Sequence, residues 1–448
     1  MGVEKKIAEA VKTAGGRVYY VGGCVRDSLL GLPRKDVDIE VYGIDRRELL
    51  AILEKLGPVD SFGADFGIYG LAGTDLDIAL PRREYALGSG HKSFEIQVDP
   101  YMDTAQAARR RDFTINAIME DVLTGEIQDP YGGRADLSAG IIRHIDDKAF
   151  VEDPLRVFRA AQFAARFSLD IAPETAALCQ TMDVSVLPKT RVEEELKKGL
   201  LKAEKPSLFF ESLRKMNKLS PWFSEVESLI GVQQEPSFHP EGDVWTHTMQ
   251  VIDRAAAYQD RVSDPYAFLL LALTHDFGKS STTKVIHNVV HSYGHETEGL
   301  PLIESFLRRL TDDRKLIDYV VNMVPLHMKP NIAARAEAKL KSTNRLFDSA
   351  AAPGDLIFFA LADKPAADSQ NDKRAEFLFS RYEQYKELME KPGVSGKDLI
   401  AAGIAPGDDF REILDYAHKL RLAGIDRDSA LKQTVAYAKK KRKRAASL

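Results

Sequence analysis

Two short stretches of the sequence decide the fold: Val21–Asp27, which reads VGGCVRD, and Asp36–Val41, which reads DVDIEV. The second stretch alternates acidic and apolar residues, and residues two apart on a β-strand share a face. Asp36, Asp38 and Glu40 are therefore predicted to project together, and Glu40 is assigned no role. Paired carboxylates suit Mg²⁺, a hard cation that prefers oxygen ligands. Taken alone, the pattern more often marks an exposed edge strand with a solvated acidic face.

The first stretch follows a predicted strand and opens a predicted helix. Gly22 and Gly23 allow the backbone to approach a triphosphate closely, and amides at a helix start attract anions. Arg26 supplies a positive charge for the same phosphates. A simple strand-to-helix turn would explain two adjacent glycines by themselves. The pattern GGxVRD followed at this spacing by DxD is much more specific, and it favours a nucleotide-binding head.

At these residues the sequence resembles the polymerase-β-like nucleotidyltransferases, specifically the class II tRNA nucleotidyltransferase and bacterial poly(A) polymerase family. Leu76–Arg82, LDIALPR, matches the third carboxylate strand of that family, with Asp77 as the carboxylate. Arg110–Ala117, RRDFTINA, matches its RRDFTxNA motif, in which the arginine and the asparagine contact the nucleotide. Between them, Glu84–Met102 has a length suited to the family's flexible loop, which is associated with A addition.

A further motif, Glu152–Arg159 (EDPLRVFR), is predicted to begin a helix, because Pro154 suits the first turn. Asp153, Arg156 and Arg159 then follow at i, i+3 and i+6 along one face. An Asp acceptor beside an Arg donor can read the Watson–Crick edge of a base, and an exchange of partners would accept C or A. In isolation this spacing more often gives surface ion pairs. After RRDFTxNA, it matches the base-reading motif of the family.

The resemblance implies Mg²⁺-dependent, template-independent addition of CCA to the 3′ end of tRNA from CTP and ATP. It implies that Asp36, Asp38 and Asp77 are catalytic carboxylates, with Asp36 and Asp38 as the Mg²⁺ ligands. Arg191–Leu196, RVEEEL, resembles the next family motif, which supports the base-reading helix. The residues implied to bind the nucleotide are Gly22, Gly23, Arg26, Arg111, Asp112, Asn116, Asp153, Arg156 and Arg159.

Most of the ten histidines fall in one helical region further along the chain. Imidazole and carboxylate groups together bind divalent metals such as Mn²⁺, Ni²⁺ or Mg²⁺. The order H…HD…H…H…D resembles the HD phosphohydrolase superfamily, which implies hydrolysis of a 2′,3′-cyclic phosphate or a phosphomonoester. The alternative is a structural domain with capping or core histidines. The implied ligands of a divalent transition metal or Mg²⁺ are His247, His275, Asp276, His295, His327 and Asp363.

The predicted fold class is α+β. A polymerase-β-like head, a mixed sheet with helices, is expected to be followed by helical domains, because strand signals stop near residue 145. The predicted strands are Arg17–Val21, Asp36–Tyr42, Gly67–Ala72, Leu76–Leu80 and Phe94–Val98. The predicted domains are the head (1–143), the base-reading neck (144–204), the body with the HD domain (205–390) and a tRNA-binding tail (391–448).

Composition limits the class of protein further. The chain has 448 residues, which suggests two to four domains, and its net charge of −5 confines nucleic-acid binding to local basic patches such as Lys439–Arg444. Cys24 and Cys179 form no CxxC motif, which fits a reducing cytoplasm. No signal-peptide pattern is present, and Tyr266–Leu273 is the longest apolar stretch. We therefore expect a cytoplasmic monomer or homodimer without membrane attachment.

Two alternatives remain open at this point. The first is an enzyme with another product, which could be a poly(A) polymerase or an enzyme that adds only A or only CC. The full-length loop argues against CC-only addition, whereas nothing in the sequence decides against A-only addition. The second is an RNA-binding protein with an inactive head, and the presence of Asp36, Asp38 and Arg26 argues against it.

Overall fold

The computed structural model describes residues 2–34, 37–63, 67–86, 94–237, 239–364 and 372–445. Asp36 lies outside these ranges, as do residues 87–93 of the predicted flexible loop. The chain forms two compact units. The first comprises Met1–Ala203 with Leu208–Trp222, and the second comprises Glu204–Ser207 with Phe223–Leu448. The finer division at residues 143, 204 and 390 stays a prediction.

A mixed sheet organises the first unit. Its described strands are β1 (Arg17–Val21), β2 (Val37–Tyr42), β3 (Val59–Gly63), β4 (Ile68–Leu71), β5 (Leu76–Ala79), β6 (Arg82–Ala86), β7 (Phe94–Val98), β8 (Met119–Asp121), β9 (Ile127–Gln128), β10 (Ile141–Ile142) and β11 (Asp170–Ile171). Seven of these described strands form one sheet, in the order β3-β4-β5-β2-β1-β8-β9. Only the β2–β5 pair among them is parallel. The predicted mixed sheet with helices is confirmed.

Ten described helices complete the first unit. They are α1 (Val3–Thr13), α2 (Gly23–Leu29), α3 (Arg46–Glu54), α4 (Thr104–Arg109), α5 (Gly133–Ala139), α6 (Asp147–Val151), α7 (Leu155–Phe167), α8 (Pro173–Thr181), α9 (Lys189–Leu201) and α10 (Ser207–Lys215). α3 begins at a capping box, in which Asp45 accepts from the amide of Glu48 (2.9 Å) and Glu48 accepts from the amide of Asp45 (3.2 Å). One buried core includes Ile7 of α1, Ile39 of β2 and Ile78 of β5. This core holds the two strands in place.

The second unit is mainly helical. Its helices are α11 (Ser224–Glu227), α12 (Val244–Ala256), α13 (Pro265–Thr274), α14 (Lys279–Thr282), α15 (His295–Glu298), α16 (Leu300–Leu310), α17 (Arg314–Met323), α18 (Lys329–Arg335), α19 (Leu340–Ser349), α20 (Pro353–Asp363), α21 (Lys373–Glu390), α22 (Gly396–Ala401), α23 (Phe410–Leu422) and α24 (Arg427–Ala445). Short 3₁₀ turns link several elements of both units. They are Thr114–Asn116, Val184–Val186, Gln259–Arg261 and Val324–Leu326.

A short hairpin interrupts the helices of the second unit and, like β11, contradicts the expectation that strands stop near residue 145. It consists of β12 (Lys284–Ile286) and β13 (Val289–His291), paired antiparallel. The two residues between the strands, His287 and Asn288, both have positive φ (50° and 59°). Two such residues make the type I′ turn, whose twist matches a hairpin. The pattern was missed because these strands have only three residues each.

Helix α13 lies at the centre of the second unit. Asp264 accepts from the amides of Tyr266 and Ala267 at 3.0 Å and so caps the helix, and the next nine residues of the helix, 266–274, are all buried. His275 and Asp276 follow directly, so both are carried into the interior and are each 1% exposed. Within the described ranges, no helix has both the length and the apolar character that crossing a membrane requires.

Candidate functional sites

A cleft of about 760 Å³ lies in the first unit, and we call it the head cleft. Every site residue predicted for the head and neck that the structure describes lines this cleft. These residues are Gly22, Gly23, Arg26, Asp38, Asp77, Arg111, Asp112, Asn116, Asp153, Arg156 and Arg159. Residues that are far apart along the chain are therefore brought into one place by the sheet and by helix α7.

Asp38 and Asp77 lie side by side in the head cleft. β2 and β5 are parallel neighbours, and their register pairs Asp38 directly with Asp77. Residues paired in this way point to the same face of a sheet. Asp38 is half-buried and Asp77 is exposed, so carboxylate oxygens are presented at the cleft. This donor set fits Mg²⁺, which prefers hard oxygen ligands.

The backbone at Gly22 comes close to this acidic pair. Gly22 has φ +70°, a conformation that residues with a side chain rarely adopt. A Cβ atom at this position would lie 3.7 Å from Asp38 Oδ2 and 3.8 Å from the Nη1 atom of Arg111. The glycine therefore keeps the space between the carboxylate and the guanidinium open.

A chain of charged hydrogen bonds crosses the head cleft. The Nη1 atom of Arg26 donates to Asn116 Oδ1 (2.6 Å), and Asn116 Nδ2 donates to Asp112 Oδ1 (2.8 Å). Arg159 Nε on α7 donates to Asp112 Oδ2 (2.7 Å). Arg26 also donates to Asp27 and is only 3% exposed. The RRDFTxNA motif is thus linked on one side to Arg26 of helix α2 and on the other side to helix α7.

Asp112 is held ionised by these partners. Burial alone would raise the pKa of Asp112, but the positive charge of Arg159 and the hydrogen bond from Asn116 bring it below its ordinary value. In return, the carboxylate of Asp112 raises the pKa of Arg159. The pair is therefore a fixed charge pair at the junction between the RRDFTxNA motif and α7.

The predicted base-reading pair is placed differently from the sequence expectation. Asp153 was expected on the face of a helix, but α7 begins at Leu155 and Asp153 precedes it, accepting from the amide of Leu155 (3.0 Å). Arg156 donates to the carbonyl oxygens of Ala149 and Arg110, the latter at 2.9 Å. Arg156 thus uses two backbone partners in this structure, and Asp153 uses one.

Arg191 supports Asp153 from helix α9. The Nη2 atom of Arg191 donates to Asp153 Oδ2 at 2.9 Å. The stretch Arg191–Leu196 was predicted to support the base-reading helix. Its first residue, Arg191, supports Asp153, which precedes that helix. It fixes the carboxylate of Asp153 at the border of the cleft.

Glu40 is a residue of the head cleft that was assigned no role from the sequence. It is 1% exposed and accepts hydrogen bonds from Tyr42 Oη (2.7 Å) and from the Nη2 atoms of Arg110 (3.1 Å) and Arg111 (3.4 Å). A buried carboxylate that binds two guanidinium groups fixes their position. The signal was available, because the alternation placed Glu40 on the acidic face, but its arginine partners are distant in sequence.

The six predicted HD residues meet in the second unit, and we call them the HD cluster. They are His247, His275, Asp276, His295, His327 and Asp363, and all are buried. Nε2 of His275 and Nε2 of His295 each lie 3.2 Å from an Asp276 oxygen. Nε2 of His247 lies 3.0 Å from Asp363 Oδ1. The His327 ring centroid lies 5.4 Å from that of His275 and 5.3 Å from that of His295.

The other ring nitrogen of each histidine is engaged outside the cluster. Nδ1 of His275, His295 and His327 lies 2.9, 2.8 and 2.7 Å from a backbone carbonyl oxygen, respectively. Because a carbonyl oxygen can only accept, these Nδ1 atoms carry the proton and Nε2 presents its lone pair inward. Burial and the neighbouring His275 lower the pKa of His327 to about 3, which keeps its ring neutral.

The inward atoms of the HD cluster suit a metal ion. Among the described residues, Nε2 of His275, Nε2 of His295 and both carboxylate oxygens of Asp276 are buried and make no hydrogen bond, although Lys279 Nζ forms an ion pair with Asp276 Oδ2 at 2.8 Å. Buried polar atoms are normally satisfied, so lone pairs that converge in this way indicate a cation. Two groups within the cluster have ligand atoms close enough to hold an ion. They are His247 with His275 and Asp363, and Asp276 with His295 and His327.

Two residues behind the HD cluster, His239 and Glu241, were not predicted as site residues. Glu241 Oε1 lies 2.7 Å from Nδ1 of His247 and 3.0 Å from Nδ1 of His239. Burial lowers the pKa of His239 to about 4. Glu241 therefore orients His247 from outside, as carboxylates commonly do for metal-binding histidines.

Comparisons with known proteins agree with this arrangement. Residues 18–143 match the family model described as the Poly A polymerase head domain, and residues 244–368 match the model of the HD domain. The Multifunctional CCA protein of Nitrosococcus oceani is 37% identical over 397 residues, which cover 86% of this chain and 93% of that protein. The Multifunctional CCA protein of Actinobacillus pleuropneumoniae serotype 5b is 36% identical over 91% of this chain and 98% of that protein.

Solved structures share the fold. The CCA-adding enzyme of Bacillus stearothermophilus in complex with CTP superposes with a TM-score of 0.66 over 99% of this chain and all of that chain, at 20% identity. A Thermotoga maritima CCA-adding enzyme complexed with tRNA superposes with a TM-score of 0.61 over 96% of this chain and 93% of that chain, at 19% identity. Together with the two relatives, these matches confirm the resemblance read from the motifs. The chain belongs to the multifunctional CCA proteins, which fall within the tRNA nucleotidyltransferase and poly(A) polymerase family and carry an HD domain.

Proposed function

We propose that the first unit adds CCA to the 3′ end of tRNA, with CTP and ATP as nucleotide donors. The observation that carries this proposal is the head cleft. There Asp38 and Asp77 lie beside Gly22 and Arg111. In each addition the 3′-hydroxyl of the tRNA attacks the α-phosphorus of the nucleotide. The bond to the β-phosphate breaks, and pyrophosphate leaves.

Asp36 and Asp38 would hold Mg²⁺ in the head cleft, and Asp77 would assist as the third carboxylate. When bound, Mg²⁺ would offset the charge of the triphosphate and favour ionisation of the attacking hydroxyl. The protein's own residues act by position. Gly22 leaves room for phosphate next to Asp38, and Glu40 holds the guanidinium group of Arg111 where it can reach that phosphate.

The choice between C and A would fall to Asp153 and Arg156, with Arg159 beside them. Arg156 uses two of the five N–H donors of its guanidinium group on backbone carbonyl oxygens, so the others remain for a base. The two backbone contacts would hold the guanidinium group in place while it reads the base.

The relatives favour complete CCA addition over poly(A) synthesis, over A-only or CC-only addition, and over an inactive RNA-binding role. The tRNA substrate would meet the tail, where helix α24 ends in a run of basic residues that attracts phosphate irrespective of sequence. A cytoplasmic location would give access to tRNA. We expect a monomer or a homodimer.

A primer-by-nucleotide assay tests the first proposal. Purified protein is incubated with Mg²⁺ and each nucleoside triphosphate in turn, on tRNA without CCA, on tRNA that ends in CC, and on an unrelated RNA. We expect C addition to the first tRNA and A addition to the second, with little extension of the unrelated RNA. Long A tails on any RNA would show a poly(A) polymerase instead.

We also propose that the HD cluster hydrolyses a phosphoester. The observation that favours this second activity is the set of converging buried lone pairs on His275, Asp276 and His295. A divalent transition metal or Mg²⁺ held there would polarise the phosphate and activate water. In the reaction, water adds to phosphorus and the ester oxygen leaves as a hydroxyl group. Such hydrolysis of a 2′,3′-cyclic phosphate or a phosphomonoester would restore a 3′ end that the head can extend.

A further inference from the structure

A cavity of about 400 Å³ opens beside the HD cluster, and neither proposed activity uses its outer wall. Its inner wall includes His295 of the cluster and Lys279. The Nζ atom of Lys279 lies 2.8 Å from Asp276 Oδ2 and donates to Gln234 Oε1 at 2.7 Å. The cavity therefore reaches the HD cluster at a place where a positive charge is fixed, which suits an anionic ester.

The outer wall of the cavity is formed by strand β13 and the residues that follow it. The hydroxyl groups of Thr283 and Ser292 lie 2.8 Å apart in a hydrogen bond that joins the two ends of the hairpin. The amide of Val290 donates to Glu235 Oε2 at 3.3 Å, and Glu235 also lines the cavity. An isolated two-stranded hairpin is only marginally stable. These contacts hold this one against the cavity.

His291 and Tyr293 form an aromatic pair on that outer wall. His291 is the last residue of β13, and Tyr293 follows it two positions later, outside the strand. Their ring centroids lie 4.8 Å apart and their planes differ by 13°. Tyr293 is 74% exposed even though His291 covers one face of its ring, so the other face is open. In register with His291 on β12 stands the exposed Lys284.

An exposed tyrosine ring beside a cavity wall that carries Lys279 has a definite chemical match. Nucleobases stack on aromatic side chains with little dependence on base identity, and nearby cations attract the attached phosphate. A nucleoside that carries a phosphoester combines a flat ring with an anionic group, as the two walls of this cavity require. A phosphoester without a base would use only the inner wall.

We propose that His291 and Tyr293 are a base-stacking subsite of the HD cluster, which selects the phosphoester of a nucleoside. This inference rests on the proposed hydrolytic function of the HD cluster and names two residues that set its specificity. Tyr293 is a specificity-determining residue here, since it touches the base and not the reacting phosphorus. The nucleoside can come from a free nucleotide or from the 3′ end of an RNA, and the two sources share this chemistry.

Fluorescence quenching tests the subsite without any hydrolysis. 2-Aminopurine riboside 3′-monophosphate is titrated with the full chain, and in a second arm an RNA that ends in the same nucleotide is used. Stacking on an aromatic ring quenches 2-aminopurine. We expect quenching with the unaltered protein, a loss of quenching with about tenfold weaker binding in Tyr293→Ala, and retention of both in Tyr293→Phe.

Val285→Ala is the matched control. Val285 is 60% exposed on the same hairpin, pairs with Val290, and is not part of the cavity wall. It should bind and quench like the unaltered protein. A loss confined to Tyr293→Ala in either arm supports the subsite and identifies the source of the nucleoside. Undiminished quenching and affinity of Tyr293→Ala in both arms would overturn it.

A hydrolysis arm separates this inference from the function on which it rests. Adenosine 2′,3′-cyclic phosphate is compared with glycerol 1,2-cyclic phosphate, which has no base. Tyr293→Ala should raise KM for the first substrate by about tenfold and leave KM for the second unchanged. Equal effects on both substrates would overturn the subsite. If the unaltered protein hydrolyses neither substrate, the hydrolase proposal fails, and the quenching measurement still decides whether the base is bound.

Discussion

The head cleft and the HD cluster both assemble charged side chains, but they do so in opposite ways. In the head cleft the charges satisfy one another, as Arg159 does with Asp112 at 2.7 Å. In the HD cluster, Nε2 of His275, Nε2 of His295 and both oxygens of Asp276 make no hydrogen bond among the described residues, and Lys279 supplies the ion pair to Asp276. The first site is ordered by its own hydrogen bonds. The second has a place for a cation at its centre.

This difference predicts how each site depends on metal. Ion pairs and hydrogen bonds within the head cleft keep its geometry whether or not Mg²⁺ is bound. The HD cluster carries the cost of buried, unsatisfied polar atoms until a cation binds, because such groups lose the hydrogen bonds that water would give them. Metal should therefore stabilise the second unit more than the first.

The strongest loss of activity is expected from a substitution in the head cleft. Asp38→Asn removes one negative charge from the acidic pair and should reduce both C and A addition by on the order of 10³-fold or more, since the triphosphate loses its metal anchor. Hydrolysis by the HD cluster serves as the internal control and should be unchanged, as should the melting temperature. Near-normal addition by this variant would show that Asp38 is not a catalytic carboxylate.

A second substitution should remove the activity and the metal response of the HD cluster. The double substitution His275→Ala and Asp276→Ala should abolish phosphoester hydrolysis, while CTP and ATP addition stays close to that of the unaltered protein. Mn²⁺ or Ni²⁺ should raise the melting temperature of the unaltered protein, because an ion that binds only the folded state stabilises it. In the double variant this rise should be absent.

Two results would contradict this view of the HD cluster. One is a protein whose melting temperature does not respond to Mg²⁺, Mn²⁺, Ni²⁺ or Co²⁺. The other is the same metal-dependent rise in the double variant, which would place the ion elsewhere. In either case the cluster is better described as a structural core of the helical body.

A smaller loss of metal affinity is expected when a residue behind the HD cluster is changed. Glu241→Ala removes the acceptor at 2.7 Å from Nδ1 of His247, so this ring loses its fixed orientation. Losing such a partner typically weakens metal affinity by about 10- to 100-fold. Titration of Mn²⁺ against the melting temperature measures this change. Glu235→Ala, at a nearby carboxylate that contacts the hairpin and not His247, should leave the titration unchanged.

The two sites also differ in how far the sequence could predict them. Alternation placed Asp38 on a strand and the family motif supplied Asp77, but neither indicates that β2 and β5 are parallel neighbours with the two residues in register. The partners of Arg156 are backbone carbonyl oxygens, which carry no sequence signal. Glu40 illustrates the same limit, since its arginines are 70 and 71 residues away.

The HD cluster was easier to predict, because its members are chemically distinctive residue types. The order of histidines and aspartates identified all six members, and the structure brings them together. The elements around the HD cluster were harder to predict from the sequence. The hairpin β12–β13 has three-residue strands and a His287–Asn288 turn in place of the more familiar Asn-Gly, so neither length nor turn composition marked it.

The smallest expected effect concerns base choice in the head cleft. Asp153→Ala should lower discrimination against UTP and GTP by about tenfold, because one charge-assisted hydrogen bond to a base contributes roughly that much. KM for CTP should change less. Asp153 also accepts from the amide of Leu155, so its loss should cost about 1 kcal/mol of stability, which a melting curve measures separately. Arg191→Ala leaves the carboxylate in place but removes its support at 2.9 Å, and should reduce selectivity by a smaller factor. If Asp153→Ala instead weakens all four nucleotides equally and leaves selectivity intact, Asp153 is a structural partner of Arg191, and base reading lies with other residues of the cleft.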